Sequence, residues 1–124
     1  MPLFDKTIDT LSKDLDLLQL RQAIISDNIA NVETPGFKAR RVEFEAELAR
    51  AAEQTPNAHI TGEIDAVRPQ IIQDPRSELG QDLHSVDMDR EMAELTKTDL
   101  KYSASTQAIN KKFALLKYAI SEGK

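Results

Sequence analysis

Apolar residues of this chain recur in alternating steps of four and three along two long stretches, and the stretch between them keeps no such rhythm. The first covers residues 4–32, on a stripe of Phe4, Ile8, Leu11, Leu15, Leu18, Gln22, Ile25, Ile29 and Val32 with Gln22 as its single polar member. That spacing predicts an amphipathic helix with a heptad seam. Leu17, Ile24 and Ala30 widen the stripe on one side. The second stretch predicts a helix over residues 87–121, on a seam of Met88, Met92, Leu95, Asp99, Tyr102, Thr106, Ile109, Phe113, Leu116 and Ile120. Asp87 is its expected N-cap, and Asp89, Glu91 and Glu94 place negative charge where the helix dipole favours it. Lys97, Lys101, Lys111, Lys112 and Lys117 follow, and Gly123 sits where a helix stop is expected.

Residues 34–86 hold Pro35, Pro56, Pro69 and Pro75 together with Gly36, Gly62 and Gly80. Thr34-Pro35-Gly36 is the expected end of the first helix: Pro35 disfavours the α conformation at Thr34, and Gly36 permits a positive φ. With Ala at both positions, nothing between Val32 and Ala39 would forbid helix. Arg41 to Ala52 suits a short helix, although Val42-Glu43-Phe44 alternates and suits an extended start equally. Ala58–Thr61 and Gln70–Gln73 are short strand candidates, and Asn57 to Ser85 is polar enough to be expected flexible before assembly. The predicted fold is mainly α, one domain over 1–124. It comprises an N-terminal helix (1–33), a turn motif with an irregular middle (34–86) and a C-terminal helix (87–124). The two long helices should pack as an antiparallel coiled-coil pair, with a short helix or β-hairpin in the middle.

Composition sharpens this picture. The 124 residues are 30% charged and only 5% aromatic, which argues for narrow apolar seams over a thick globular core. Formal net charge is −5, so no nucleic-acid partner is expected. There is no Cys, hence neither disulfide framework nor thiol chemistry. Met1-Pro2-Leu3-Phe4-Asp5-Lys6 does not read as a secretory signal, and no apolar run is long enough to span a bilayer.

Catalytic, cofactor-binding and metal residues are all read as none. His59 and His84 both fall in the irregular middle, and no metal-binding, phosphate-binding or nucleophile motif occurs. No enzyme activity, cofactor or small-molecule substrate is expected. What remains is apolar surface. Leu17, Leu20 and Ile24 on the first helix and Leu100, Leu115 and Ala119 on the second exceed what one two-helix seam can bury. Such excess on a thin molecule points to a protein partner. A rod-like assembly subunit and a soluble helical adaptor or export chaperone both fit.

Ser26-Asp27-Asn28-Ile29-Ala30-Asn31-Val32-Glu33-Thr34-Pro35-Gly36-Phe37-Lys38 resembles the signature S-N-I-A-N-x-x-T-P-G-[YF]-K of the bacterial flagellar axial proteins, with Asp27 as a departure. Val86-Asp87-Met88-Asp89-Arg90-Glu91-Met92-Ala93-Glu94-Leu95 resembles that family's V-D-x-x-x-E-M-x-x-L. Phe37-Lys38-Ala39-Arg40-Arg41-Val42-Glu43-Phe44 is similar to the Y-K-A-R-D-I-D-F of short subunits of the proximal rod. The resemblance implies a structural subunit of the basal-body rod that stacks helically, joins the membrane ring to the drive shaft and transmits torque. Another rod subunit of the same family is the alternative. The implied partners are copies of itself, other rod subunits, the membrane-ring/rod junction proteins and the flagellar type III export apparatus. The implied location is the periplasmic side of the inner membrane, reached without a cleaved signal peptide. The family turn motif falls on Asn28, Asn31, Thr34, Pro35, Gly36 and Phe37. Subunit-packing seams fall on Ile8, Leu11, Leu15, Leu18, Ile25 and Ile29, and on Met92, Leu95, Tyr102, Ile109, Phe113, Leu116 and Ile120. Phe4 with Ile8 resembles an F-x-x-x-apolar export motif.

Overall fold

Two long helices dominate the fold, given by a computed structural model that describes residues 6–55, 62–75 and 86–123. In order, the elements are α1 (Lys6–Ala30), β1 (Arg40–Glu43), α2 (Glu45–Gln54), α3 (Gly62–Asp65), β2 (Gln70–Gln73) and α4 (Met88–Glu122). The fold is mainly α, and α1 and α4 pack antiparallel, as the paired seams predict. Side-chain bonds fix the direction: Asp14 meets Ser105, Gln22 meets Asp99 and Asn28 meets Glu91. No described helix is long and apolar enough to cross a membrane.

The middle of the chain is more ordered than its polarity suggests. β1 and β2 pair antiparallel, Arg40 opposite Gln73 and Glu43 opposite Gln70, with α2 and α3 between them in sequence. The extended and helical readings of residues 41–52 both hold, in succession: Val42 lies on a strand and Leu48 on the helix that follows. The strand candidate Gln70–Gln73 is β2. The other candidate, Ala58–Thr61, lies outside the described residues, as do His59, His84 and Phe4. Expected flexibility from Asn57 to Ser85 is corrected for residues 62–75. There Ile64 and Val67 are fully buried, and Asp74 donates its N–H to the Ala39 carbonyl at 2.9 Å.

Those residues relocate the core. Its buried apolar members are Leu17, Leu18 and Ile24 of α1, Val42, Phe44, Leu48 and Ala51 around β1 and α2, and Ile64 and Val67 around α3. From α4 only the half-buried Tyr102 packs against this cluster. The core therefore lies between α1 and the middle segment, whereas the periodicity alone puts it between the long helices.

The reason is visible on α4. Its buried and half-buried positions include Glu91, Leu95, Thr98, Tyr102, Ser105, Thr106, Ile109, Lys112 and Leu116. Leu95, Tyr102, Ile109 and Leu116 belong to the predicted seam. At three of the alternate positions the less exposed residue is one place earlier, Glu91 for Met92, Thr98 for Asp99 and Lys112 for Phe113, while Ser105 and Thr106 are both half-buried and Asp99 still reaches Gln22. One residue is about 100° of helix rotation. Small and polar residues thus face α1, and Met92, Phe113 and Ile120 stay exposed. Asp87 caps α4 as predicted, its carboxylate accepting the Arg90 N–H at 3.2 Å, and Gly123 closes the other end with its N–H on the Ala119 carbonyl.

Candidate functional site

α1 ends at Ala30, before Pro35 is reached. Asn31 closes the last turn. Its N–H is shared between the carbonyls of Asp27 and Asn28, and its side-chain amide donates to the Asp27 carbonyl at 2.8 Å. Val32 and Thr34 then donate to carbonyls three residues back, which tightens the chain out of the α-helix. The Thr34 hydroxyl donates to Asn31 Oδ1 at 3.1 Å. Gly36 has φ of 77°, as the sequence requires, and Thr34, Pro35 and Gly36 are exposed while Phe37 is half-buried. The helix thus ends ahead of Pro35-Gly36, with Asn31 satisfying its last carbonyls and Pro35-Gly36 shaping the turn that follows.

Asn28 is the buried anchor of this turn, only 1% exposed. Its Oδ1 accepts the Arg40 N–H at 3.1 Å and its Nδ2 donates to the Arg40 carbonyl at 2.8 Å. The amide thus pairs with the backbone of the first β1 residue as a neighbouring strand would. Its second Nδ2 proton goes to Glu91 Oε2 at 3.1 Å. Glu91 is 5% exposed, the only buried acid on α4 among the described residues. The two signature stretches, far apart in sequence, therefore meet in one hydrogen-bonded node. A surface ion pair between Asp27 and Arg40 at 2.7 Å lies beside it.

Three bases of α1 that sequence reading treated only as charge do related work. Lys6 donates to the Thr55 carbonyl just past α2, and Lys13 to the Asp65 carbonyl at the end of α3. Arg21 donates to the Val42 carbonyl at 2.7 Å, forms a paired contact with the Glu45 carboxylate and lies 4.6 Å from the centre of the Phe44 ring. Cations at helix C-terminal carbonyls suit the dipole, and Arg21 matches a carboxylate with two N–H groups. Their spacing of seven and then eight residues places them on one face, which was the available signal. Burial raises the Glu45 pKa, but hydrogen bonds from Arg21 and the backbone, with the guanidinium charge, outweigh it and hold the carboxyl at about 2.

A groove of about 340 Å³ separates β1 from α4, walled by residues of both signs, among them Arg40, Arg41, Glu43, Glu94 and Lys97. It is spanned by the Asn28–Glu91 contact and, further along α4, by Lys101 and Glu45 at 3.7 Å.

The seam residues divide by helix. Ile8, Leu18 and Ile25 are buried, and Leu11, Leu15 and Ile29 half-buried. On α4, Leu95, Tyr102, Ile109 and Leu116 are half-buried. The same helix leaves Met88, Met92, Leu100, Phe113, Leu115, Tyr118 and Ile120 exposed, at 38% to 68%. Paired helices, a hydrogen-bonded turn and many uncovered apolar side chains on α4 define the class: a mainly helical structural protein.

The comparisons with known proteins agree. The family profile described as flagella basal body rod protein matches residues 8–38, which end on the signature turn. A flagellar basal body rod protein FlgB of Borrelia hermsii is 39% identical over 121 residues, covering 86% of this chain and 89% of its own length. The FlgB proteins of Bacillus subtilis and Borreliella burgdorferi are 31% and 32% identical, over 100% and 83% of this chain and 100% and 87% of their own lengths. The chain belongs to the flagellar basal body rod protein family.

Proposed function

We propose that this chain is a structural subunit of the proximal rod of the flagellar basal body. It assembles with copies of itself and with other rod and membrane-ring junction components, and carries torque through that contact. The observation that carries the reading is the set of uncovered apolar side chains on α4. A family of rod proteins accounts for a helix that leaves so many large apolar side chains exposed. The seam residues Met92, Phe113 and Ile120 are then subunit contacts. Ile8, Leu18 and Ile25 hold the subunit's own fold. Phe4 with Ile8 serves as an export motif for the type III apparatus, without a cleaved signal; Ile8 is also buried in the fold at 3% exposure.

Deletion of the gene, with electron microscopy of basal bodies and swimming assays, tests the assignment. Membrane rings without rods are expected, restored by the intact gene. Full rods in the deletion strain would exclude it. Secretion assays on Phe4→Ala separate export from assembly: the variant is expected to accumulate inside the cell with an unaltered fold.

A further inference from the structure

Asn28 uses both side-chain protons and one oxygen on two different elements, the backbone of Arg40 and the carboxylate of Glu91. It sits where α1 ends, so the amide cannot move far without disturbing the turn. We propose that Asn28 is a coupling residue, through which the docking of the first turns of α4 fixes the position of the return strand β1.

The chemistry of the node supports this. The two bonds to the Arg40 backbone already fix the plane of the amide. The third bond, to a charged acceptor, ties that plane to α4, and bonds to charged groups are the stronger kind. Asp at this place would offer no proton to Arg40 or Glu91 and would set two carboxylates together. Gln would be one methylene too long to pair with the strand backbone. Glu91 is held by the N-terminal turn of α4, whose start is fixed by the Asp87 cap. When this turn docks, the carboxylate reaches Asn28. When it undocks, Asn28 retains only the strand. The state of α4 is thereby transmitted to the turn that carries Pro35, Gly36 and Phe37.

The test is a double-mutant cycle on the full chain, read by hydrogen exchange at single amides. Glu91→Met keeps length and removes the acceptor; Glu91→Gln keeps an acceptor. In Glu91→Met the Arg40 N–H is expected to exchange faster by roughly tenfold or more, while Leu18 and Leu48 in the core are unchanged. Glu91→Gln should stay close to the parent. Because Arg40, Arg41 and Lys97 line the groove between β1 and α4, the cycle includes Asn28→Ala, in which Glu91→Met should have no further effect at Arg40. Unchanged Arg40 exchange in Glu91→Met, or an undiminished effect in the Asn28→Ala background, overturns the proposal. Should Glu91→Met fail to fold, the reciprocal measurement decides, since coupling between two sites is mutual. Asn28→Ala must then loosen the Leu95 N–H in the first turns of α4 and leave Ile109 as it was; no change at Leu95 overturns it equally.

Discussion

Glu45 shows how a single contact sets a pH dependence. Its folded pKa is about 2, against an ordinary value of 4.5. A lowered acid pKa stabilises the fold above the unfolded value, and that contribution is lost as the pH falls from about 4.5 towards 2. The carboxylate is about half exposed, so screening limits the contribution to about 1 kcal/mol or less. Urea melts of the parent and Glu45→Gln across this range should differ above pH 4.5 and converge near pH 2. Equal slopes against pH would remove Arg21 and Glu45 as the clamp on α2. The partners of this clamp were not legible in the sequence. Arg21 and Glu45 stand far apart there, and nothing in either local pattern names the other. Asn28, Asn31, Thr34 and Gly36 were legible as a motif, and the positive φ of Gly36 followed from the turn. The burial of Glu91 was not, because an acid in the first turn of a helix is explained without it by the helix dipole.

At the scale of elements, the ends of α4 and the stop of α1 were readable from caps and periods, and so was half of the side of α4 facing α1, through Leu95, Tyr102, Ile109 and Leu116; Glu91, Thr98 and Lys112 on that side were not. Period gives spacing, and it does not say whether the apolar set or its polar neighbour turns inward. Here a third partner, the middle segment, competes for the apolar face of α1, and it wins through Val42, Phe44, Leu48, Ile64 and Val67. The two sides therefore differ in what a truncation costs. Leu18→Ala, at 1% exposure, should destabilise the chain by about 2–5 kcal/mol. Leu115→Ala, at 58% exposure, should change it by about 0.5 kcal/mol or less. Chemical denaturation of each variant measures both. The turn allows a similar contrast. Space around Gly36 is open, so Gly36→Ala is charged only with the strain of a left-handed residue, about 1–2 kcal/mol. Because the helix already ends at Ala30, replacing Pro35 and Gly36 together by Ala should add little helix by circular dichroism. A gain of two full turns would make Pro35 the stop.

For the whole molecule the question is what the exposed apolar side chains of α4 do once the subunit is among neighbours. The register that pairs Asp14 with Ser105 places Lys6, eight residues before Asp14, level with residue 113, eight after Ser105. The last turns of α4 thus run past the described start of α1. Leu115, Tyr118 and Ile120 lie on them, each more than half exposed. Side chains more than half exposed contribute little to the isolated fold and can be altered without unfolding it. In a repeating assembly the same change recurs at every contact, so a local loss becomes a failure to polymerise. Leu115→Asp with Ile120→Asp should therefore leave the melting temperature of the purified chain nearly unchanged and abolish rods and swimming, with the protein still made and exported. Ile25→Asp provides the contrast: it places an unpaired charge at 5% exposure, costs several kcal/mol, and should lower the melting temperature before any assembly is attempted. Electron microscopy of basal bodies, calorimetry and immunoblots on the three strains separate the cases. Normal rods from the doubly substituted α4 would show that these side chains face solvent in the rod, and the lateral contact would have to be sought on α1 or on the strands.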